Sequence, residues 1–271
     1  MADESGFQLN GSAPERYERY AAPFMTPFVD AILDAVDLYP GAKVLDLACG
    51  TGFAARGAAA RVGPSGRVSG ADVNPAMIGV AEEHAPRMYP DIDFTVAPAD
   101  KLPYEDAAFD AVVCQQGVQF FPDLEAAFAE AARVTRSDGR FAATAWAPRD
   151  LIPYFVAQYE AVEEYGGREL AANYQGAFSG TPDRLSAALS GAGFRDVSVR
   201  QITFGVPLPP LDVYAPGQLS STSWGQAIVD TGGEDALRLA GRLVHTRLTG
   251  HTAPDGTTTL PFTANLLTGI R

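Results

Sequence analysis

The chain is short of cysteine, of histidine and of positive charge, and each shortage removes a class of function. Two cysteines in 271 residues, Cys49 and Cys114, do not make a disulfide framework. Both fall where buried parallel strands are expected to end, which makes them small apolar packing groups. The three histidines, His84, His245 and His251, are too few and too scattered for a structural zinc site, and no Asp-Asp pair suits magnesium, so no metal is expected. Lys and Arg number 20 against 33 Asp and Glu, a net charge of −13. Nucleic-acid binding needs clustered cations to contact phosphates, so RNA and DNA are set aside as partners. No apolar run approaches the roughly 18 residues of a spanning helix. The first residues carry acids where a signal peptide carries bases, so no membrane association and a cytoplasmic location are expected. A G-x-S-x-G elbow and a G-x-x-x-x-G-K phosphate loop are missing from the sequence.

What is present is a core: 46% of residues are hydrophobic, enough for a full α/β domain with an insertion. Phe28, Ile32, Leu33 and Val36 make one face of a helix over Pro27 to Leu38, ended by Gly41. Strands are expected at 43–47, 67–71, 92–96, 111–114 and 140–145, with helices between. Asn74 before Pro75 opens a helix over 76–84, and Asp123 caps one over 124–134. Alternation of this kind predicts a parallel, doubly wound sheet whose crossovers are right-handed and whose loops gather at one edge.

The most informative stretch is Val44-Leu45-Asp46-Leu47-Ala48-Cys49-Gly50-Thr51-Gly52, an apolar strand, an acid near its end and a glycine loop. Glycine takes positive φ at no steric cost, so the loop can turn sharply where open α/β sheets bind ligands. Two cofactor readings compete. Gly50-Thr51-Gly52-Phe53-Ala54-Ala55 fits a G-x-G-x-x-A dinucleotide fingerprint, with Asp72 as its ribose acid. Asp46, however, would repel a pyrophosphate and suits a cationic ligand instead. An NAD-dependent oxidoreductase therefore stands as the alternative. Its Tyr-x-x-x-Lys spacing, Tyr39 to Lys43, crosses a Pro-Gly turn and lacks helical geometry.

Asp46-x-x-Cys49-Gly50-Thr51-Gly52, followed by Gly70-Ala71-Asp72-Val73-Asn74, resembles motifs I and II of class I S-adenosylmethionine-dependent methyltransferases. Ala97 to Pro103, Phe109 to Cys114, Phe120 to Asp123 and Arg136 to Arg140 continue the family's order over residues 40–148. The ubiquinone/menaquinone-type small-molecule branch is the one most similar. The resemblance implies a Rossmann-like, doubly wound, mostly parallel seven-stranded sheet with an antiparallel last strand and a helical lid insertion. S-adenosyl-L-methionine would be the cofactor and S-adenosyl-L-homocysteine the product. Ala48, Gly50 and Gly52 would form the cofactor loop and Asp72 would accept the ribose hydroxyls. Asp100 would accept from the adenine amine, Lys101 and Leu102 would lie against the ring, and Val73 and Met77 would sandwich it. Gln115 and Gln116 would face the methionine end. Tyr17 or Tyr20 would touch the sulfonium, and Arg16 or Arg19 the carboxylate; which of each pair is not legible.

The same resemblance divides the chain, as one domain over 1–271, into cofactor-covering helices (1–40), a cofactor-binding core (41–148) and substrate-side segments (149–193 and 207–251). Beyond Trp146 a helix with four aromatic residues is expected over 151–165, another from Thr181 to near Gly193, and strands over 197–206 and 257–270. The long excursion from Pro207 to His251 reads as a proline-rich turn and a helix over 234–248, forming a lid over a small apolar or aromatic acceptor. His245, beside the apolar row of Leu237, Ala240, Val244 and Leu248, is the candidate general base if the acceptor needs one. A fold that holds the cofactor without transferring its methyl is a third reading, since function belongs to the site.

Overall fold

The computed structural model describes residues 9, 11–86 and 91–271, so the start of the expected 1–40 cover lies outside the described residues. Strands β1 (Lys43–Leu47), β2 (Arg67–Asp72), β3 (Ile92–Val96), β4 (Phe109–Gln115), β5 (Thr135–Trp146), β6 (Arg195–Leu208) and β7 (Thr258–Ile270) form one sheet in the order β3-β2-β1-β4-β5-β7-β6. β1 to β5 pair in parallel, and β7 runs antiparallel to both β5 and β6. In β1 every residue after Lys43 is buried, because helices cover both faces of a parallel sheet. The expected doubly wound sheet with its antiparallel last strand is what the chain forms.

Helices α1 (Ala13–Tyr20), α2 (Thr26–Ala35), α3 (Phe53–Val62), α4 (Pro75–His84) and α5 (Leu124–Val134) are interleaved with the first five strands. α2 turns Phe28, Val29, Ile32 and Leu33 to the core. Asn74 and Asp123 cap α4 and α5, accepting from Ala76 N and Ala126 N at 2.9 and 2.8 Å and so satisfying donors that have no partner within the helix.

The second half departs from expectation in two places. The helix expected over 151–165 is α6 (Pro153–Gln175), which continues past Tyr165 by breaking at Gly167, where φ is 85°. The excursion after Pro207 holds two helices, α8 (Leu211–Ser220) and α9 (Ser223–Leu248), after α7 (Pro182–Gly191) and β6. In place of the expected proline-rich turn stands α8, with Pro216 inside it, and the glycines of the excursion serve close packing. A Cβ on Gly241 would stand 2.6 Å from Pro216 Cβ, and one on Gly225 2.0 Å from the Leu219 oxygen. α9 is itself broken at Gly233.

The sheet separates two cores. One unites α2 and α3 with α6, α8 and α9; the other packs α5 and α7 against the opposite face. Among the described residues no helix is long and apolar enough to cross a membrane.

Phe94 of β3 fits into a hollow made by Gly52 and Gly70, where an added Cβ would come within 2.7 and 2.6 Å of its ring. Gly70→Ala is therefore expected to cost about 1–3 kcal/mol of stability through overpacking, read as a lower denaturant midpoint at unchanged slope.

Candidate functional site

β1 and β4 are neighbours whose following helices leave on opposite faces, so their carboxyl ends open into the crevice where α/β sheets bind ligands. Asp46 sits at that end of β1, opposite Gly70 and Val113, and is 1% exposed. Its Oδ2 accepts from Ala55 N at 2.8 Å in the first turn of α3, while Oδ1 is buried with no partner. Burial in this apolar setting pushes its pKa up to about 7, outweighing the hydrogen bond from Ala55. Asp72, at the end of β2, accepts from Gly50 N at 2.8 Å and from Asn74 N at 2.9 Å, holding the glycine loop to the start of α4. Burial raises its pKa above the usual carboxylate value despite these two bonds. Gly50 has φ 54° and nothing nearer to an added Cβ than Met77 Cε at 3.7 Å, an open approach. Gly52 differs: its missing side chain makes room for Phe94, so it serves packing, and it does not line the cavity.

A cavity of about 620 Å³ runs from this loop toward the second half of the chain. Ala48, Gly50, Asp72, Val73, Met77, Asp100, Gln115 and Gln116, all expected at the site, line it. Lys101 and Leu102 do not. Leu102 is buried in the α5-side core and its backbone is tied to Glu130 and Arg133, so Pro98, Ala99 and Asp100 face the cavity instead, with Lys101 exposed. Asp46 borders a small adjoining pocket together with Tyr17 and Gln115.

The rotation of α1 sends the two tyrosines to different places. Tyr17 lines the cavity, and burial with the fields of Asp72, Glu18 and Asp46 raises its pKa. Tyr20 instead packs on Gly217 of α8, where an added Cβ would stand 2.7 Å from its ring. Neither Arg16 nor Arg19 reaches the cavity; Arg16 Nε donates to the Ser220 oxygen at 2.9 Å. The sequence offered no sign of what holds α1 down. Glu18 pairs with Arg56 at 2.5 Å and accepts from Thr51 Oγ1 at 2.5 Å, and Arg56 donates to the Thr51 oxygen at 2.7 Å. Asn74 Nδ2 adds a bond of 2.8 Å to the Leu9 oxygen.

At its far end the cavity is walled by Phe24, Trp146, Phe155, Phe178 and Trp224, with buried Gln158, Tyr174 and Gln218 among them. His245 is absent from the lining: it lies in the part of α9 beyond Gly233, where Leu237, Ala240, Val244 and Leu248 are buried in the core. Among the described residues no histidine, lysine or arginine lines the cavity, and no group of three or more His, Cys, Asp or Glu is arranged to hold a metal ion. Gln116 holds φ 55°, a left-handed backbone uncommon for a residue with a side chain. The site thus combines a buried acid, Asp46, and a half-buried one, Asp72, at a ligand-admitting loop with a neutral aromatic compartment, an arrangement that can bind a cation and a flat apolar molecule side by side.

Comparison with known proteins agrees with this geometry. Residues 44–139 match the family model described as a methyltransferase domain. Nocamycin O-methyltransferase of Saccharothrix syringae is 30% identical over 220 residues, covering 77% of this chain and 76% of that protein. A demethylmenaquinone methyltransferase of Beutenbergia cavernae is 32% identical over 188 residues, covering 65% and 75%. Among solved structures, a SAM dependent methyltransferase from Aquifex aeolicus superposes with a TM-score of 0.55 at 15% identity, covering 94% of this chain and 97% of that one.

The Asp46 environment yields a pH prediction. Its folded pKa of about 7 lies above the ordinary aspartate value of 3.8, so between the two the folded state holds a proton that the unfolded state has released. Its contribution to stability is full below pH 3.8 and falls as pH rises to about 7. Unfolding free energies of wild type minus Asp46→Asn, measured by denaturant across that range, should decline with rising pH and then level off. A flat difference would contradict the buried, unpaired carboxyl.

Proposed function

Because the chain belongs to the class I small-molecule methyltransferases, we propose that it transfers a methyl group from S-adenosyl-L-methionine to a small, apolar or aromatic acceptor by in-line displacement, without a metal, leaving S-adenosyl-L-homocysteine. The observation that carries this reading is the unpartnered Asp46 Oδ1 at a small pocket that shares Tyr17, Gly50 and Gln115 with the cavity, where Gly50 leaves an open approach. A buried acceptor without a donor is costly, and a cationic ligand bearing N–H groups is what would relieve it.

The cofactor fits the residues present. Each Asp72 oxygen has acceptor capacity beyond its one N–H bond, so it would hold the ribose hydroxyls. Asp100 would accept from the adenine amine, with Val73, Met77 and Ala99 against the ring. Tyr17 would turn its ring face to the positive sulfur, and Gln115 and Gln116 would flank the methionine end. When bound, the cofactor supplies a methyl carbon made electrophilic by that sulfur. The chain's own work is then to hold the acceptor in line and exclude water, which the aromatic walls and the α1 clamp are suited to do. With His245 outside the lining, no general base is assigned. Residues 149–193 and 207–251 would serve as the acceptor side, Gln218, Thr222 and Trp224 being the lid's contribution.

Calorimetric titration tests this directly. S-adenosylhomocysteine should bind in the micromolar range while NAD gives no heat; the reverse result would revive the oxidoreductase. Asp72→Ala should weaken S-adenosylhomocysteine by at least about tenfold, the loss of charge-assisted hydrogen bonds worth roughly 1.5–3 kcal/mol. Tyr17→Ala should weaken S-adenosylmethionine by about tenfold and its uncharged product less, whereas Tyr20→Ala should not discriminate between them.

A further inference from the structure

The far end of the cavity contains a chain of buried amides and phenols whose direction is set by its own hydrogen bonds. Tyr174 OH donates to Gln158 Oε1 at 2.8 Å, Gln158 Nε2 donates to Gln218 Oε1, and Tyr154 OH donates to the same Gln218 oxygen at 3.3 Å. Gln158 and Gln218 are 1% and 5% exposed, and both line the cavity. Both phenolic protons are engaged and Gln218 Oε1 already accepts two bonds, so the groups left without a partner are amide hydrogens. Gln218 Nε2 has no acceptor among the described residues, and Gln158 Nε2 has one hydrogen to spare. Toward the cofactor loop the pattern is mixed: Gln115 Nε2 and Gln116 Nε2 are buried donors without partners, and Gln119 Oε1 is a buried acceptor without one, its amide nitrogen donating to the Gln116 oxygen at 3.2 Å.

Among the described residues no cation lines this compartment. The acids that line the cavity are Asp72, at the end of β2, and Asp100 and Asp123, in the stretches that follow β3 and β4. Arg149, whose field reaches Tyr174, stacks 3.5 Å over the Tyr159 ring with Nε and Nη1 buried and unpartnered, and it stands behind the lining, out of contact with the cavity. An ion buried there would have no counter-charge in contact with it, which is strongly unfavourable, whereas an uncharged oxygen acceptor would satisfy donors that otherwise stay unpaired.

We propose that Gln158 and Gln218 form a carbonyl-recognition subsite, so that the cavity selects an uncharged, flat ring system bearing a hydrogen-bond-accepting oxygen and rejects its carboxylate and hydrocarbon counterparts. Tyr174 and Tyr154 are positioning residues: they fix the orientation of the two amides. The inference rests on the transferase reading for what the ligand is used for, but the selectivity itself belongs to the cavity.

Equilibrium dialysis of the full chain against three probes of nearly one shape tests it: 2-acetylnaphthalene, 2-isopropenylnaphthalene and 2-naphthoate. The ketone should bind about tenfold or more tighter than the alkene, which leaves the donors unpaired, and about tenfold or more tighter than the anion. Gln218→Leu should bring ketone and alkene to within about twofold by weakening the ketone alone, and Gln218→Met serves the same purpose should the leucine variant not fold. Equal binding of ketone and alkene to wild type, preference for the carboxylate, or an undiminished ketone preference in a folded variant would each overturn the proposal. The dialysis is run with and without S-adenosylhomocysteine. Failure of that ligand to bind sinks the transferase reading and leaves the probe ranking to stand by itself, whereas a failed ranking with it bound sinks only this subsite.

Discussion

Everything at this site follows from the reversal of strand order between β1 and β4. Strands laid down outward in both directions from that seam send their following helices to opposite faces, and the loops at the seam have no neighbour to close over them. The chain uses the resulting gap twice. From β1 it extends the loop with Asp46 and Gly50, and from β4 it extends Gln115 and Gln116. The hydrogen bond from Gly50 N to Asp72 then draws β2 into the same arrangement, so three strand ends converge on one crevice. The second half of the chain is constrained by the same gap, since α6, α8 and α9 must cover it while burying their own apolar faces against the sheet.

Among the described residues that covering turns no cation to the cavity. The aromatic walls stack on one another, as Trp146 does edge-on with Phe155 and Phe28 at 4.9 and 5.3 Å, and the polar groups between them are neutral amides and phenols. The acids are thereby kept to one end of the cavity, and the other end holds neutral groups alone. A chain with net charge −13 would otherwise surround any bound molecule with negative field. The division lets a positive and an uncharged ligand occupy adjacent space with little mutual interference.

Much of the frame was legible in the sequence, for reasons visible in particular residues. The bounds of β1 and β3 fell where expected, because burial and period are local and Gly41 and Gly50 punctuate the first of them. Asp46, Gly50 and Asp72 could be read because a ligand-binding loop must combine a strand end with positive φ. Lys101 and Leu102 could not be assigned correctly: an apolar residue next to an acid is equally suited to a ring or to a core, and Leu102 went to the core. Tyr17 and Tyr20 were indistinguishable until the rotation of α1 on α8 was known. Gln158 and Gln218 stand 60 residues apart, and no local pattern announces that two amides will meet. The proline-rich stretch that holds Pro216 misled for a related reason, since a residue that breaks helices also lets two helices touch, here against Gly241.

The chain has two tryptophans, and both border the cavity at the strand ends. Trp146 ends β5 on the sheet, and Trp224 opens α9, its indole N–H donating to Asn173 Oδ1 at 2.8 Å. Tryptophan emission, excited selectively over that of the ten tyrosines, therefore arises from this compartment alone. A change in its wavelength or intensity is a report on the dryness and occupancy of the space between the sheet and its helical cover, with no other tryptophan as background. For the same reason, a melt followed at that emission tracks the parting of those two layers, and the β1 to β3 edge of the sheet contributes nothing to it.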